Sequence, residues 1–182
     1  MKRQVLAVVA LVGLMVSAVS ANEADVGVRG GYMRFPDAED GAFLGSLFFR
    51  TDWREVVFID ASVYYHTEEV APDLDLEFIP IHLSAMLFLL GRDGGISPFV
   101  LAGGGVYWSR TTVTGHDTNS EFDIGWHLGA GFDLAISDRM FIETDFRYIW
   151  LNVDTEGETF ADSLADFNHW VAGIGLGFRL GK

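Results

Sequence analysis

The stretch from Phe122 to Ile136, "FDIGWHLGAGFDLAI", decides the fold. Phe122, Ile124, Trp126, Leu128, Ala130, Phe132, Leu134 and Ile136 take every second position, and Asp123, Gly125, His127, Gly129, Gly131, Asp133 and Ala135 lie between them. Successive side chains of a strand point to opposite faces, so the run reads as a β-strand with one apolar face and one small or polar face. The chain repeats the scheme. It runs through Ile79, Ile81, Leu83, Ala85, Leu87 and Leu89, then Ile142, Thr144, Phe146, Tyr148 and Trp150, and ends on Trp170, Ala172, Ile174, Leu176, Phe178 and Leu180 with glycines between. Each apolar face needs apolar cover. Each glycine face leaves room for something bulky beside it.

Eight strand-like segments are marked in this way, at 24–35, 42–53, 55–66, 76–90, 98–110, 121–136, 139–152 and 167–180. The second and fifth alternate least clearly. Connections after the even-numbered segments are short: 52–54, 91–95 and 137–139. Those after the odd-numbered segments are longer, and their charged residues are all acidic: Asp37, Glu39 and Asp40; Glu68, Glu69, Asp73 and Asp75; Asp117 and Glu121; Asp154, Glu156, Glu158, Asp162 and Asp166. An even strand count, short turns at one end, longer loops at the other and both termini at the short-turn end describe an up-and-down, eight-stranded antiparallel transmembrane β-barrel. In hydrocarbon every backbone polar group must be satisfied internally, which a closed barrel does. Interfacial aromatic girdles are expected, with Trp53, Phe99 and Phe178 on the short-turn side and Tyr65, Phe78, Trp126, Trp150 and Trp170 on the loop side. A soluble barrel with an apolar interior is the alternative polarity, but its outer wall would carry more charge than this Gly- and Ser-rich face does.

The first residues read differently. Lys2 and Arg3 precede an apolar run from Val5 to Val16, and small residues follow to Ala21. The run is shorter than the roughly 18 residues of a membrane-spanning helix, and it suits an export signal. Residues 1–21 are expected to be removed, leaving 22–182 as one barrel domain and taking the formal net charge from −14 to −16. With no cysteine in the chain, neither disulfides nor an acylated N-terminal cysteine enters the argument. Such an acidic surface repels phosphate backbones, which sets nucleic acid aside as a partner. No cofactor motif is present.

The segments "FIPIHLSAMLFLL" (78–90), "SPFVLAGGGVYW" (97–108), "GWHLGAGFDLAISDRMFIETDFRYIWLNVDTEGE" (125–158) and "HWVAGIGLGFRL" (169–180) together resemble the small outer-membrane β-barrel proteins, most closely the OmpW-like group. "VGVRGGYMRFP" at 26–36 matches more loosely. The resemblance implies a location in the cell outer membrane and passage of small hydrophobic molecules through a narrow, porin-like channel. The related OmpX-like and OmpA-type groups imply structural or surface roles. Gly173, Leu176 and Phe178 fit the spacing of the C-terminal signal that the outer-membrane assembly machinery reads in such proteins.

The chemistry-bearing residues fall into four groups. Arg29, Arg50, Asp60, Asp133, Glu143, Asp145 and Arg147 are expected to point into the lumen at comparable depth. Eight strands enclose a space just wide enough for side chains, and buried charges must pair, so an ion-pair network that plugs the barrel is the reading. A polar conduit would need gaps among the same residues. Antiparallel closure of first strand on last places Asp25 near Arg179 at the short-turn end. His66, His82, His127 and His169 fall on the inner face toward the loops and His116 in a loop, without metal-ligand spacing. Nor does an enzyme emerge: there is no GxSxG, Ser62 and His66 lie two strand repeats apart, and Glu143, Asp145 and Arg147 read as an ion-pair ladder. The acidic loops should attract divalent cations and, through them, lipopolysaccharide and outer-membrane lipids.

Two functions stay open. One is a narrow transporter of small hydrophobic solutes; the other is a non-conducting structural or surface-interaction barrel. Apolar residues lining the loop-side lumen would favour the first, and that region is expected to hold Tyr64 and Phe88 beside its histidines and polar groups.

Overall fold

The computed structural model describes residues 23–34, 41–71, 74–113, 119–152 and 168–180. Among them eight strands close into an antiparallel barrel in chain order: β1 (Ala24–Arg34), β2 (Ala42–Arg54), β3 (Val57–Ala71), β4 (Leu74–Phe88), β5 (Ile96–Val113), β6 (Asn119–Ala135), β7 (Met140–Asn152) and β8 (His169–Arg179). Closure runs β1 against β8, from Asp25 opposite Arg179 to Arg34 opposite Trp170. No strand edge is left open, which is the condition for a sheet to stand in hydrocarbon.

The faces follow the alternation. Leu128 is 55% exposed on the outer wall, whereas its neighbour His127 is 1% exposed in the lumen. Leu47, Leu83, Phe132, Phe146 and Ile174 are likewise exposed, so the apolar face is the outer one. On the inner side the glycines admit their neighbours. A Cβ on Gly131 would come within 2.7 Å of the Phe99 ring and 2.9 Å of the Asp145 Cα, and one on Gly173 within 2.7 Å of Asp145 Oδ1 and 3.1 Å of Arg29 Cδ. Bare glycine faces on β6 and β8 therefore make room for rings and guanidinium groups inside a narrow barrel.

Three expectations need correction. The acidic run around 67–75 is not a long loop, because β3 reaches Ala71 and β4 starts at Leu74, with Glu68 opposite Leu76 and Glu69 opposite Asp75. Backbone pairing continues where apolar alternation has stopped, since strand ends that stand clear of lipid can carry charge and still form a ladder. Glu121 likewise lies within β6. Asp37, Glu39, Asp40, Asp73, Asp117, Asp154, Glu156, Glu158, Asp162, Asp166 and His116 lie outside the described residues. Second, Phe99 and Phe78 do not join the outer girdles: Phe99 is 1% exposed inside, and Phe78 stacks on the buried Tyr107 ring at 6.1 Å. Third, Phe88 lies opposite Phe99 at the short-turn end, not at the loop side. Phe78 and Phe88 share the inner parity of His82, which the outward series Ile79, Ile81 and Leu83 implies, whereas Phe99 lies in the strand whose alternation is among the least clear, with Val100 outward beside it.

Candidate functional site: the charged lumen

The lumen is the molecule's core, and it is layered. Arg50 of β2 is fully buried. Its guanidinium lies 3.0 Å from Asp133 (β6), 3.8 Å from Asp60 (β3) and Asp25 (β1), and in direct contact with Glu143 (β7). The rings of Phe48, Phe88, Phe99 and Phe141 stand 5.4–5.7 Å from the same guanidinium carbon. Arg29 of β1 pairs with Glu143, stands 3.6 Å from Asp60 and Asp145, donates to Tyr64 Oη at 2.9 Å, and stacks over Phe48 at 4.7 Å. Arg147 of β7 donates to Asp145 two residues before it and lies 3.6 Å from Asp60. All seven charged residues expected in the lumen are thus buried in one connected network.

Such a network stands only as a whole. Charges out of water are held by mutual attraction and good hydrogen bonds, and losing one partner leaves the rest uncompensated. Guanidinium groups over aromatic faces add a smaller attraction. The cluster also has a member that strand periodicity misses. Arg92, in the turn between β4 and β5, reaches back into the mouth, donates to Asp25 at 2.7 Å and lies 3.7 Å from Asp133. One signal for it was in the sequence: the lumenal carboxylates, Asp25 included, outnumber the arginines the strands themselves supply, so another cation was needed.

Asp25 and Arg179 are register partners across the β1–β8 seam. The Asp25 carboxylate is held by Arg92 and Arg50, while Arg179 Nη2 donates to the Arg92 carbonyl at 3.5 Å and its guanidinium lies 5.8 Å from the Phe141 ring centre. Of the C-terminal trio, Gly173 faces Arg29 and Asp145 inside, while Phe178 lies on the outer wall.

Toward the loops the charged layer gives way to an apolar one: Met33, Leu44, Tyr64, Tyr107, Ile149 and Val171, with Ala42, Phe78 and Leu151 packed against them. A second apolar cluster, Phe58, Met86, Phe88, Phe99 and Leu101, lines the β3–β5 wall. Between them lie His82, opposite Gly105, and His127, opposite Gly103, while His66 and His169 stand at the level of the first cluster, opposite Phe78 and Ile149. His82 packs among Tyr64, Tyr107 and His127 with ring centres 4.7–5.2 Å apart, and His66 Nδ1 lies 2.7 Å from the Phe43 carbonyl oxygen. His169 meets the Tyr107 ring edge-on at 6.3 Å. Ser62 stands opposite His82 in the β3–β4 register. His127 Nε2 contacts Ser84 Oγ at 2.8 Å, but its Nδ1 has no hydrogen-bond partner among the described residues. A nucleophilic serine needs a histidine oriented by an acid and a path for substrate. This pair is nearly inaccessible, and among the described residues no acid is hydrogen-bonded to the histidine.

A family profile described as the outer membrane protein beta-barrel domain matches residues 5–178. Among solved structures, the N-terminal barrel domain of Pseudomonas aeruginosa OprF superposes with a TM-score of 0.63 at 15% identity, covering 88% of this chain and 98% of that one. Neisserial surface protein A gives 0.63 at 12% identity over 88% and 96%. Ail, the attachment invasion locus protein of Yersinia pestis, crystallised with a heparin analogue, gives 0.58 at 14% over 87% and 97%. At these identities the likeness is one of fold. No curated protein sequence matches the chain.

Proposed function

Since the chain belongs to the outer-membrane β-barrel family, we propose that it is a non-conducting member whose role is structural or at the cell surface. The observation that carries this reading is the filling of the lumen at the level of Arg50, where four carboxylates and four phenyl rings surround one buried guanidinium. An ion crossing that layer would have to displace paired charges from each other, at several kcal/mol. Function then lies outside the lumen. The acidic segments at the loop side would gather divalent cations and, through them, lipopolysaccharide; a lower melting temperature on calcium chelation is the test of that contact. Removal of residues 1–21, and delivery by the assembly machinery reading Gly173, Leu176 and Phe178, complete the proposal. Mass spectrometry of the mature protein, starting at Asn22, checks the first of these.

A second reading, passage of small hydrophobic solutes in the OmpW-like manner, draws on the apolar layer toward the loops. Uptake into liposomes carrying the refolded protein separates the two. The first reading expects neither a hydrophilic sugar nor a small apolar solute to enter faster than into empty liposomes. Faster entry of the apolar solute alone would favour the second, and faster entry of the sugar would overturn both.

A further inference from the structure

The turn joining β4 to β5 spans 89–95 and contains Gly91, Gly94 and Gly95. Gly91 adopts a φ of 71°, a left-handed conformation that glycine takes without strain. That reversal sends Arg92 back toward the barrel axis, where its side chain is only 6% exposed. Besides its bond to Asp25 of β1 and its approach to Asp133 of β6, Arg92 lies 3.8 Å from Glu23 and stacks over Phe58 at 4.6 Å and Phe88 at 5.0 Å. Its carbonyl accepts from Arg179 of β8, and the Gly95 carbonyl accepts from Ala135 N at 2.9 Å. A cavity of about 500 Å³ opens on the short-turn side, walled by Asp25, Arg92, Asp93, Asp138, Arg139 and Arg179 among others. Arg92 and Asp25 form its boundary with the charged lumen.

We propose that this turn is a lid on the short-turn end of the barrel, with Arg92 as its latch. Arg92 Nε and Nη1 have no hydrogen-bond partner among the described residues, so the side chain's one close hydrogen bond goes to Asp25, beside the longer ion pairs and the ring contacts. The backbone is tied at Leu89, which donates to the Pro98 carbonyl at 2.9 Å, at Arg92 and at Gly95, and the glycines on both sides of Arg92 let the segment between those ties swing. When the latch releases, the cavity joins the space around Asp133 and Ser97. The proposal rests on the reading of a closed lumen, and assigns one of its seals to a movable element.

The chain has no cysteine, so single thiols report access. Ser97→Cys places one opposite Asp133, just inside the lid, and Ser84→Cys places one deeper, opposite Asp60; both serines are 1% exposed. The probe is a charged, membrane-impermeant maleimide applied to the refolded full chain, with β-sheet circular dichroism as the check on folding. Ser97→Cys should react slowly alone and roughly tenfold or more faster when combined with Arg92→Ala, which removes a charge-assisted bond. Gly91→Ala strains the hinge without removing a charge and should accelerate labelling in the same direction, which keeps the test alive if Arg92→Ala does not refold. Ser84→Cys should stay slow in every background. Fast labelling of Ser97→Cys in the otherwise native chain, or a rate that neither variant changes, overturns the lid. Fast labelling of Ser84→Cys in the native chain instead overturns the closed-lumen reading beneath it.

Discussion

Arg50→Ala should destabilise the barrel by about 3–5 kcal/mol, the cost of leaving buried charges without their partner. Asp25, Asp60, Asp133 and Glu143 all lie within 3.8 Å of that guanidinium. Arg29, Arg92 and Arg147 would remain to balance five carboxylates, once Asp145 is counted with those four. Urea unfolding of the refolded protein in phospholipid vesicles measures the loss. Two companions give the number its meaning. Arg54→Ala, at an exposed arginine beside Trp53, should change stability by no more than about 0.5 kcal/mol, as surface substitutions usually do. Glu143→Gln in the Arg50→Ala background should recover part of the loss, because it removes one of the orphaned charges, and such coupling is non-additive. A simple sum of the two single effects would mean that charge balance is not what holds the lumen.

Leu128→Arg carries the second large effect. Leu128 projects from the middle of β6 onto the outer wall, opposite Ala102 of β5 and Tyr148 of β7. An arginine on the lipid face of a barrel costs about 2–4 kcal/mol at the bilayer midplane and about 0–1 near the interfaces. Ile136→Arg, at the short-turn end of the same outward series, should therefore be nearly silent. The contrast tests the polarity of the wall. If water bathed the outer face, both substitutions would be tolerated equally and the chain would stay in solution without lipid or detergent.

The two variants probe opposite faces of one pattern, and that pattern was legible because period-2 alternation is a physical requirement of a wall with lipid on one side and a packed lumen on the other. The outward Leu128 and the inward Asp133 follow from the reading of 122–136 alone, and the strand order from the eight segments with their alternating short and long connections. The seven lumenal charges were legible for the same reason, each lying on the inner parity of its strand. Arg92 was not, because a turn has no parity, and only the backbone reversal at Gly91 sends it inward. Phe78 was misplaced because its residue type was set above its parity, which puts it with His82 on the inner face, and Phe99 because its strand alternates among the least clearly. The extension of β3 through Glu68 and Glu69 was hidden because a ladder clear of lipid needs no apolar face. Charge separation across the network, with each guanidinium shared among carboxylates of several strands, depends on three-dimensional register and could be expected only in outline.

Closure of the lumen is the central claim, and conductance across a planar bilayer tests it most directly. The refolded mature protein should give no channels at any applied potential the bilayer withstands, while Arg147→Ala, which takes a guanidinium from between Asp60 and Asp145, should give small, unstable ones. Reproducible channels from the unmodified protein would contradict the account, because ions would then be crossing the layer in which Arg50 is surrounded by carboxylates and rings.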